Sequence, residues 1–207
     1  MLRATPDRTA SPLSRRRRGV AASLTALVAS AALALAGCSS GDDDSSEKGG
    51  SANHRATAEA PTNAKLGKVE GPLKRARAER VSVAVTGVVE DWLDGAYGGS
   101  YPRTDFGSAF ADFTKGARAL ASKQPGIMSN ARVGSRVTGA DFAQRVVRVD
   151  VVGPKGKPAG ATARFRATVE LAGLDRTDEV AGRLMLTPTK GGWKVFGFDV
   201  RRDEGVS

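Results

Sequence analysis

From Val81 onward the large apolar residues recur at helical intervals. Val81, Val85, Val88, Trp92 and Ala96 fall on one face of a helix, while Glu90, Asp91 and Asp94 point elsewhere. The β-branched valines lower intrinsic helix propensity, so tertiary packing must hold this element. Gly95, Gly98 and Gly99 end it, and Tyr101-Pro102 bars its continuation. Thr104 or Asp105 can cap a second helix. Phe106, Phe110, Phe113, Ala117 and Leu120 predict its buried face, and Pro125-Gly126 its end.

The period then changes from between three and four to two. Val147, Val149 and Val151 alternate with Arg148 and Asp150, which predicts a strand over 145–152. Pro154-Lys155-Gly156-Lys157-Pro158 is a turn-rich connection. Over 161–172 the alternation is clean. Ala163, Phe165, Ala167, Val169 and Leu171 share one face, and Thr162, Arg164, Arg166, Thr168 and Glu170 the other. A third strand is expected near Val180 to Thr187, with Leu184 and Leu186 inward. Pro188-Thr189-Lys190-Gly191-Gly192 turns the chain into a last strand, Trp193 to Arg201. Residues 127–144 read either way, with Val133 to Val137 as a candidate short strand. The fold class expected is α+β: N-terminal helices packed on one face of a curved antiparallel sheet.

Ahead of this domain the pattern is different. Arg15 to Arg18 form a positive cluster, followed by an apolar, alanine-rich run from Val20 to Ala36. This is the pattern of a secretory signal, and weaker than a membrane-spanning helix. Leu35-Ala36-Gly37-Cys38 closes it and resembles the lipobox of bacterial lipoproteins at all four positions. The resemblance implies diacylglycerol on the Cys38 thiol and cleavage before Cys38, with Leu35, Ala36 and Gly37 as the signal-peptidase recognition residues. Two acyl chains suffice for stable anchoring. The alternative is a transmembrane anchor that is never cleaved. Arg17-Arg18-Gly19-Val20-Ala21 also loosely fits a twin-arginine export pattern, although four consecutive arginines meet it easily by chance.

Residues 39–70 begin Ser-Ser-Gly-Asp-Asp-Asp and show no apolar periodicity, so a flexible tether is expected there. The resulting division is a signal peptide (1–37), a lipidated cysteine and tether (38–70), an α+β domain (71–203) and a short tail (204–207).

Composition narrows the chemistry. The formal charge is +10, but from Cys38 onward 26 bases face 21 acids and the net charge falls to +5. No concentrated basic stripe with stacking aromatics accompanies it, so no nucleic-acid partner is expected. Cys38 is the only cysteine and His54 the only histidine, and both precede the domain. A Ser-His-Asp or Cys-His catalytic set, an intramolecular disulfide and a zinc cluster are therefore excluded within one chain. No cofactor or metal is expected. Asp42, Asp43 and Asp44 read as a solvated acidic cluster rather than a cation site.

Acid–base chemistry would need a carboxylate with a tyrosine, and Asp94, Tyr97, Tyr101 and Asp105 fall together at the helix–helix corner. Helix-end polar residues and core-edge tyrosines explain them equally, and no catalytic residue is assigned. Two binding surfaces are open to the chain. Phe165, Val169, Leu171, Leu184 and Leu186 line either a pocket for an apolar ligand or a packed core. Arg148, Arg164, Arg166 and Arg183 alternate onto the outer sheet face, as a docking surface for an anionic envelope partner or as solvated cross-strand pairs.

The helix-helix-meander order, and the ending Gly191-Gly192-Trp193-Lys194-Val195-Phe196-Gly197-Phe198-Asp199-Val200, resemble the nuclear-transport-factor-2-like (cystatin-like) cone. The whole chain is similar to uncharacterised lipoproteins of high-GC Gram-positive bacteria, and more distantly to mammalian-cell-entry-associated proteins. The resemblance covers residues 75–203. It implies a membrane-anchored extracytoplasmic binding or accessory module of the cell envelope, with an isomerase- or dehydratase-type enzyme as the alternative.

Overall fold

The computed structural model describes residues 60–205. The lipobox residues Leu35 to Cys38, the acidic cluster and His54 lie outside the described residues. The first element is a strand, β1 (Thr62–Glu70), where the sequence predicts tether. Only Leu66 and Val69 of this strand pack on the core. A bulge between them breaks the alternation that would otherwise mark a strand.

The amphipathic helix follows as α1 (Arg75–Ala96), and all five residues of its expected face are buried. Four strands then form a meander: β2 (Gly139–Val152), β3 (Gly160–Ala172), β4 (Arg176–Thr189) and β5 (Gly192–Glu204). The fold is α+β, with one curved, unclosed sheet of order β1-β2-β3-β4-β5. The expectation of a purely antiparallel sheet is corrected by β1, which precedes the helices and pairs parallel with β2. β2 begins earlier than its valine pattern indicates, because a bulge between Phe142 and Gln144 shifts the register.

The expected second helix is not continuous. Gly107–Phe110 is a single 3-10 turn, and the short helix α2 (Lys115–Ala121) begins only after Thr114 caps it by accepting from the Ala117 amide. Between them Phe113 makes a lone bridge to Val195 of β5. Phe106, Phe110, Phe113 and Ala117 are buried as the spacing predicts, but Leu120 is exposed. Their three-and-four spacing is thus met by consecutive tight turns. Asp105 accepts from the Gly107 amide at 2.8 Å but caps no helix, since the N-cap of the 3-10 turn is Phe106 and no side chain caps it. A four-residue helix, α3 (Pro125–Met128), comes next. Val133 to Val137 forms a hydrogen-bonded turn instead of a strand, with both valines buried.

The core lies between α1 and the inner sheet face, centred on Trp92. Its ring meets Phe165 edge-on at 5.2 Å, Tyr97 edge-on at 5.7 Å and Phe113 at 6.3 Å. The indole N–H donates to the Met128 carbonyl at 3.3 Å. Opposite Phe165 on β4 stands Gly182, with φ +153°. A Cβ there would lie 2.1 Å from the Asp199 carbonyl oxygen, so only glycine lets β5 approach this closely.

The two sheet edges differ. At β5, the Val195 amide donates to the Asp112 carbonyl and the Thr114 amide to the Val195 carbonyl, both at 2.8 Å. At β1, no strand of the described residues covers the outer side.

Candidate functional surfaces

The helix–sheet corner holds the candidate acid–base residues, and each is engaged in holding the fold. Asp94 binds Arg145, whose Nη1 stands 2.5 Å from its carboxylate. The Arg145 guanidinium is buried, lies over the Phe142 ring at 4.7 Å and donates to the Ala60 carbonyl at 3.1 Å. Tyr97 is fully buried and its hydroxyl donates to the Ile127 carbonyl. The Tyr101 hydroxyl donates to the Tyr97 carbonyl at 2.9 Å and accepts from the Asn130 side-chain amide at 2.8 Å. Arg103 closes the end of α1, donating to the carbonyls of Gly95 and Gly98 at 2.9 and 2.8 Å. Its guanidinium lies over the rings of Tyr101 and Phe106.

Burial holds the Tyr97 phenol well above the usual tyrosine range, and the nearby Arg202 offsets this only in part. The folded state therefore resists ionisation, and Tyr97 contributes stability that is complete below the ordinary phenol range near pH 10 and is lost as pH rises through and above it. We expect stability to fall with alkaline pH and Tyr97→Phe to flatten that fall. Denaturant midpoints between pH 8 and 11 check this, and identical slopes for the two proteins would refute it.

Phe165, Val169, Leu171, Leu184 and Leu186 do come together on the inner face, all buried within the core cluster. Phe165 is filled against by Trp92. The space that Gly182 vacates is taken by the β5 backbone. Leu171 and Leu186 additionally border shallow clefts at opposite ends of the sheet.

The arginines are placed as their alternation predicts. Lys65, Arg148, Arg164, Arg183 and Asp199 stand opposite one another in one row across the five strands. Neighbouring strands are about 4.8 Å apart, so like charges in such a row would repel unless neutralised. Carboxylates supply that. Asp150 pairs with Arg164 and lies 3.9 Å from Arg148, and Asp199 lies 3.2 Å from Arg183. Glu179 meets Arg166 at 2.5 Å and Arg201 at 3.6 Å. The arginine side chains keep between 52% and 65% of their surface exposed, so each remains able to meet a partner. Exposed pairs of this kind contribute about 0–1 kcal/mol each.

A buried charge cluster was not anticipated from the sequence. Asp178, fully buried on the inner face of β4, binds Arg202 of β5 at 2.5 Å and Arg176 at 2.8 Å. Arg202 also donates to the carbonyls of Gly126 and Ser129 and to the Asn130 side chain. It ties the segment around α3 to the end of β5. The signal was available: alternation places both Asp178 and Arg202 at inward positions, where a charge is expected only with a partner.

Two clefts are relevant to binding. One, of about 330 Å³, opens between β1 and α1 beside Ala64, Leu66, Val83 and Thr86. Another, of about 310 Å³, lies at the end of the outer sheet face, lined by Val152, Gly160, Thr162, Met185 and Phe196 among others. Among the described residues no helix is long and apolar enough to cross a membrane, and no group of three or more His, Cys, Asp or Glu side chains is placed to hold a metal ion. Comparison of the chain with protein-family models, curated proteins and solved structures finds no match.

Proposed function

We propose that this chain is a lipid-anchored, extracytoplasmic module of the bacterial cell envelope that works by binding rather than by catalysis. Anchoring rests on Leu35-Ala36-Gly37-Cys38 at the end of an apolar run. The domain is read as a nuclear-transport-factor-2-like cone, supported by a long helix packed on the buried face of a curved sheet. The observation that carries the binding reading is the row of Arg148, Arg164 and Arg183, set side by side and half-exposed on three neighbouring strands. At the helix–sheet corner, by contrast, the carboxylates and tyrosines are occupied with structural bonds.

Intact-mass analysis of the full chain expressed in a Gram-positive host tests the anchor. The expected product starts at Cys38 and carries acyl mass, and Cys38→Ala abolishes both changes. A Cys38→Ala chain of the same mass in the same membrane fraction would overturn it. Cross-linking in the envelope tests the surface. Arg164→Glu with Arg166→Glu should lose the cross-linked partner, and Asp94→Asn should keep it. If instead the chain isomerised an enone and Asp94→Asn abolished that activity, the enzyme reading would replace this one.

A further inference from the structure

The tips of the β2–β3 and β4–β5 hairpins lie at the same end of the sheet, because β2 to β5 form an antiparallel meander. Two of the few exposed large apolar side chains are found there: Phe196, 55% exposed, and Val152, 41% exposed. They border one cleft together with Met185.

The exposure of Phe196 has a backbone cause. Leu186 pairs with Val195 and Met185 with Gly197, so Phe196 is the extra residue of a bulge and has no partner on β4. Bulges re-aim a side chain out of the regular alternation. Here that puts a phenylalanine at the surface while Val195 stays buried.

The charges on the two hairpins that meet at this tip have one sign. Residues 151–163 and 185–198 contain no acid, and they carry Lys155, Lys157, Lys190 and Lys194. Lys155, Lys157 and Lys190 are exposed on the turns. Arg77 of α1 reaches the same tip, donating to the Gly156 carbonyl at 3.1 Å. The nearest acids are already bound: Glu70 to Lys68 at 3.3 Å, Asp112 to Lys194 at 2.6 Å and Asp150 to Arg164. The opposite end of the sheet carries Asp141, Glu170 and Asp175 around its own cleft. That end also carries Arg176, Arg201 and Arg202, so its charges are mixed, whereas the turns of the Phe196 end carry lysines alone.

We infer that the hairpin tip bearing Phe196, Val152, Lys155, Lys157 and Lys190 docks on an anionic lipid surface. The inference rests on the lipid-anchored reading. Apolar side chains ringed by lysines match the interface of such a bilayer, where basic residues are drawn to anionic headgroups and single apolar groups insert shallowly. The attachment allows it. The carbonyl of Ala60 is held by Arg145, about 23 Å along β2 from Val152 at about 3.3 Å per residue. The 21 residues between Cys38 and Ala60 reach about 70 Å when extended, far more than that gap. Docking would hold the domain tip-down, with the arginine row, which crosses the strands, lying parallel to the bilayer about 13 Å above Val152 at about 3.3 Å per residue and open to partners.

Tryptophan emission tests this directly, because Trp193 lies at the tip and the only other tryptophan, Trp92, is buried in the core. The full chain is reconstituted in vesicles of phosphatidylcholine with or without phosphatidylglycerol, with bromine on the acyl chains as quencher. Loss of the Trp193 emission in the anionic vesicles, weakened in the neutral ones and abolished by Phe196→Ser with Lys155→Glu and Lys157→Glu, is expected. All three sites are exposed, and an unchanged thermal midpoint of the variant confirms that the fold is kept. Unquenched Trp193 in anionic vesicles, or equal quenching of the variant, would overturn the docking. Flotation of the same samples separates the two readings. A chain that floats with unquenched Trp193 is anchored but undocked, whereas a Cys38→Ala chain that floats as before with the neutral vesicles, where the lysines have no anionic lipid to hold them, refutes the lipid anchor and leaves the quenching in anionic vesicles to decide the tip.

Discussion

Asp178→Ala is expected to destabilise the domain by about 3–5 kcal/mol, the cost of leaving a buried cation without its counter-ion. Arg202 is 4% exposed and loses both of its bonds to the Asp178 carboxylate, at 2.5 and 2.8 Å. Arg176 loses its partner at 2.8 Å and keeps only Glu204 at 3.0 Å. The carbonyls of Gly126 and Ser129 accept from Arg202 but cannot neutralise it. Removing both charges should hurt less than removing one. Asp178→Ala combined with Arg202→Leu is expected to recover part of the loss, since apolar side chains can replace a buried pair at little cost. A double-mutant cycle by denaturant unfolding measures this. Strict additivity of the two single effects would show that the pair does not act as a unit.

Trp92→Ala should have an effect of similar size, about 3–5 kcal/mol, through a different cause. The indole is the common neighbour of Tyr97, Phe113 and Phe165, so its removal leaves a void bordered by three aromatic rings. It also strips the Met128 carbonyl of its donor. A domain of this size has about 5–15 kcal/mol in total, so the variant should stand near the edge of folding. Trp92→Phe keeps most of the volume and loses the hydrogen bond, and is expected to cost distinctly less. A loss below about 1 kcal/mol for Trp92→Ala would mean that the core closes over the gap, contrary to the close packing of protein interiors.

The sequence made α1 legible because one strong face, Val81 to Ala96, is buried along its whole length. β3 was legible for the matching reason: Ala163 to Leu171 alternate without a break, between two neighbouring strands. β1 was not. It offers only Leu66 and Val69, separated by a bulge, and a parallel edge strand needs little of its own apolar pattern when β2 supplies its ladder. The phenylalanines at 106, 110 and 113 are buried as their spacing predicts, but that spacing does not distinguish a helix from successive turns around Gly107. Of the candidate surfaces, the arginine row followed from period two alone. Its carboxylate partners depend on strand register, which single-strand alternation does not contain. Phe196 was expected simply as part of the last strand, and its outward turn depends on a bulge that no local pattern marks.

The pairing of β1 with β2 also bears on the order in which the domain assembles. Arg145 and the Ala60 carbonyl that it holds are 85 residues apart in the chain, whereas the β2 to β5 hairpins join neighbours in sequence. Closing a loop of that length costs more entropy than closing a hairpin turn, and non-local pairing is slow. The meander should therefore form first and β1 should join last, although it is the first of the described strands to be synthesised. Until β2 and its hairpin with β3 are made, Thr62–Glu70 has no strand to pair with and the apolar side of α1 no sheet to cover, and this interval is when the nascent domain is most open to proteases and to association with other chains.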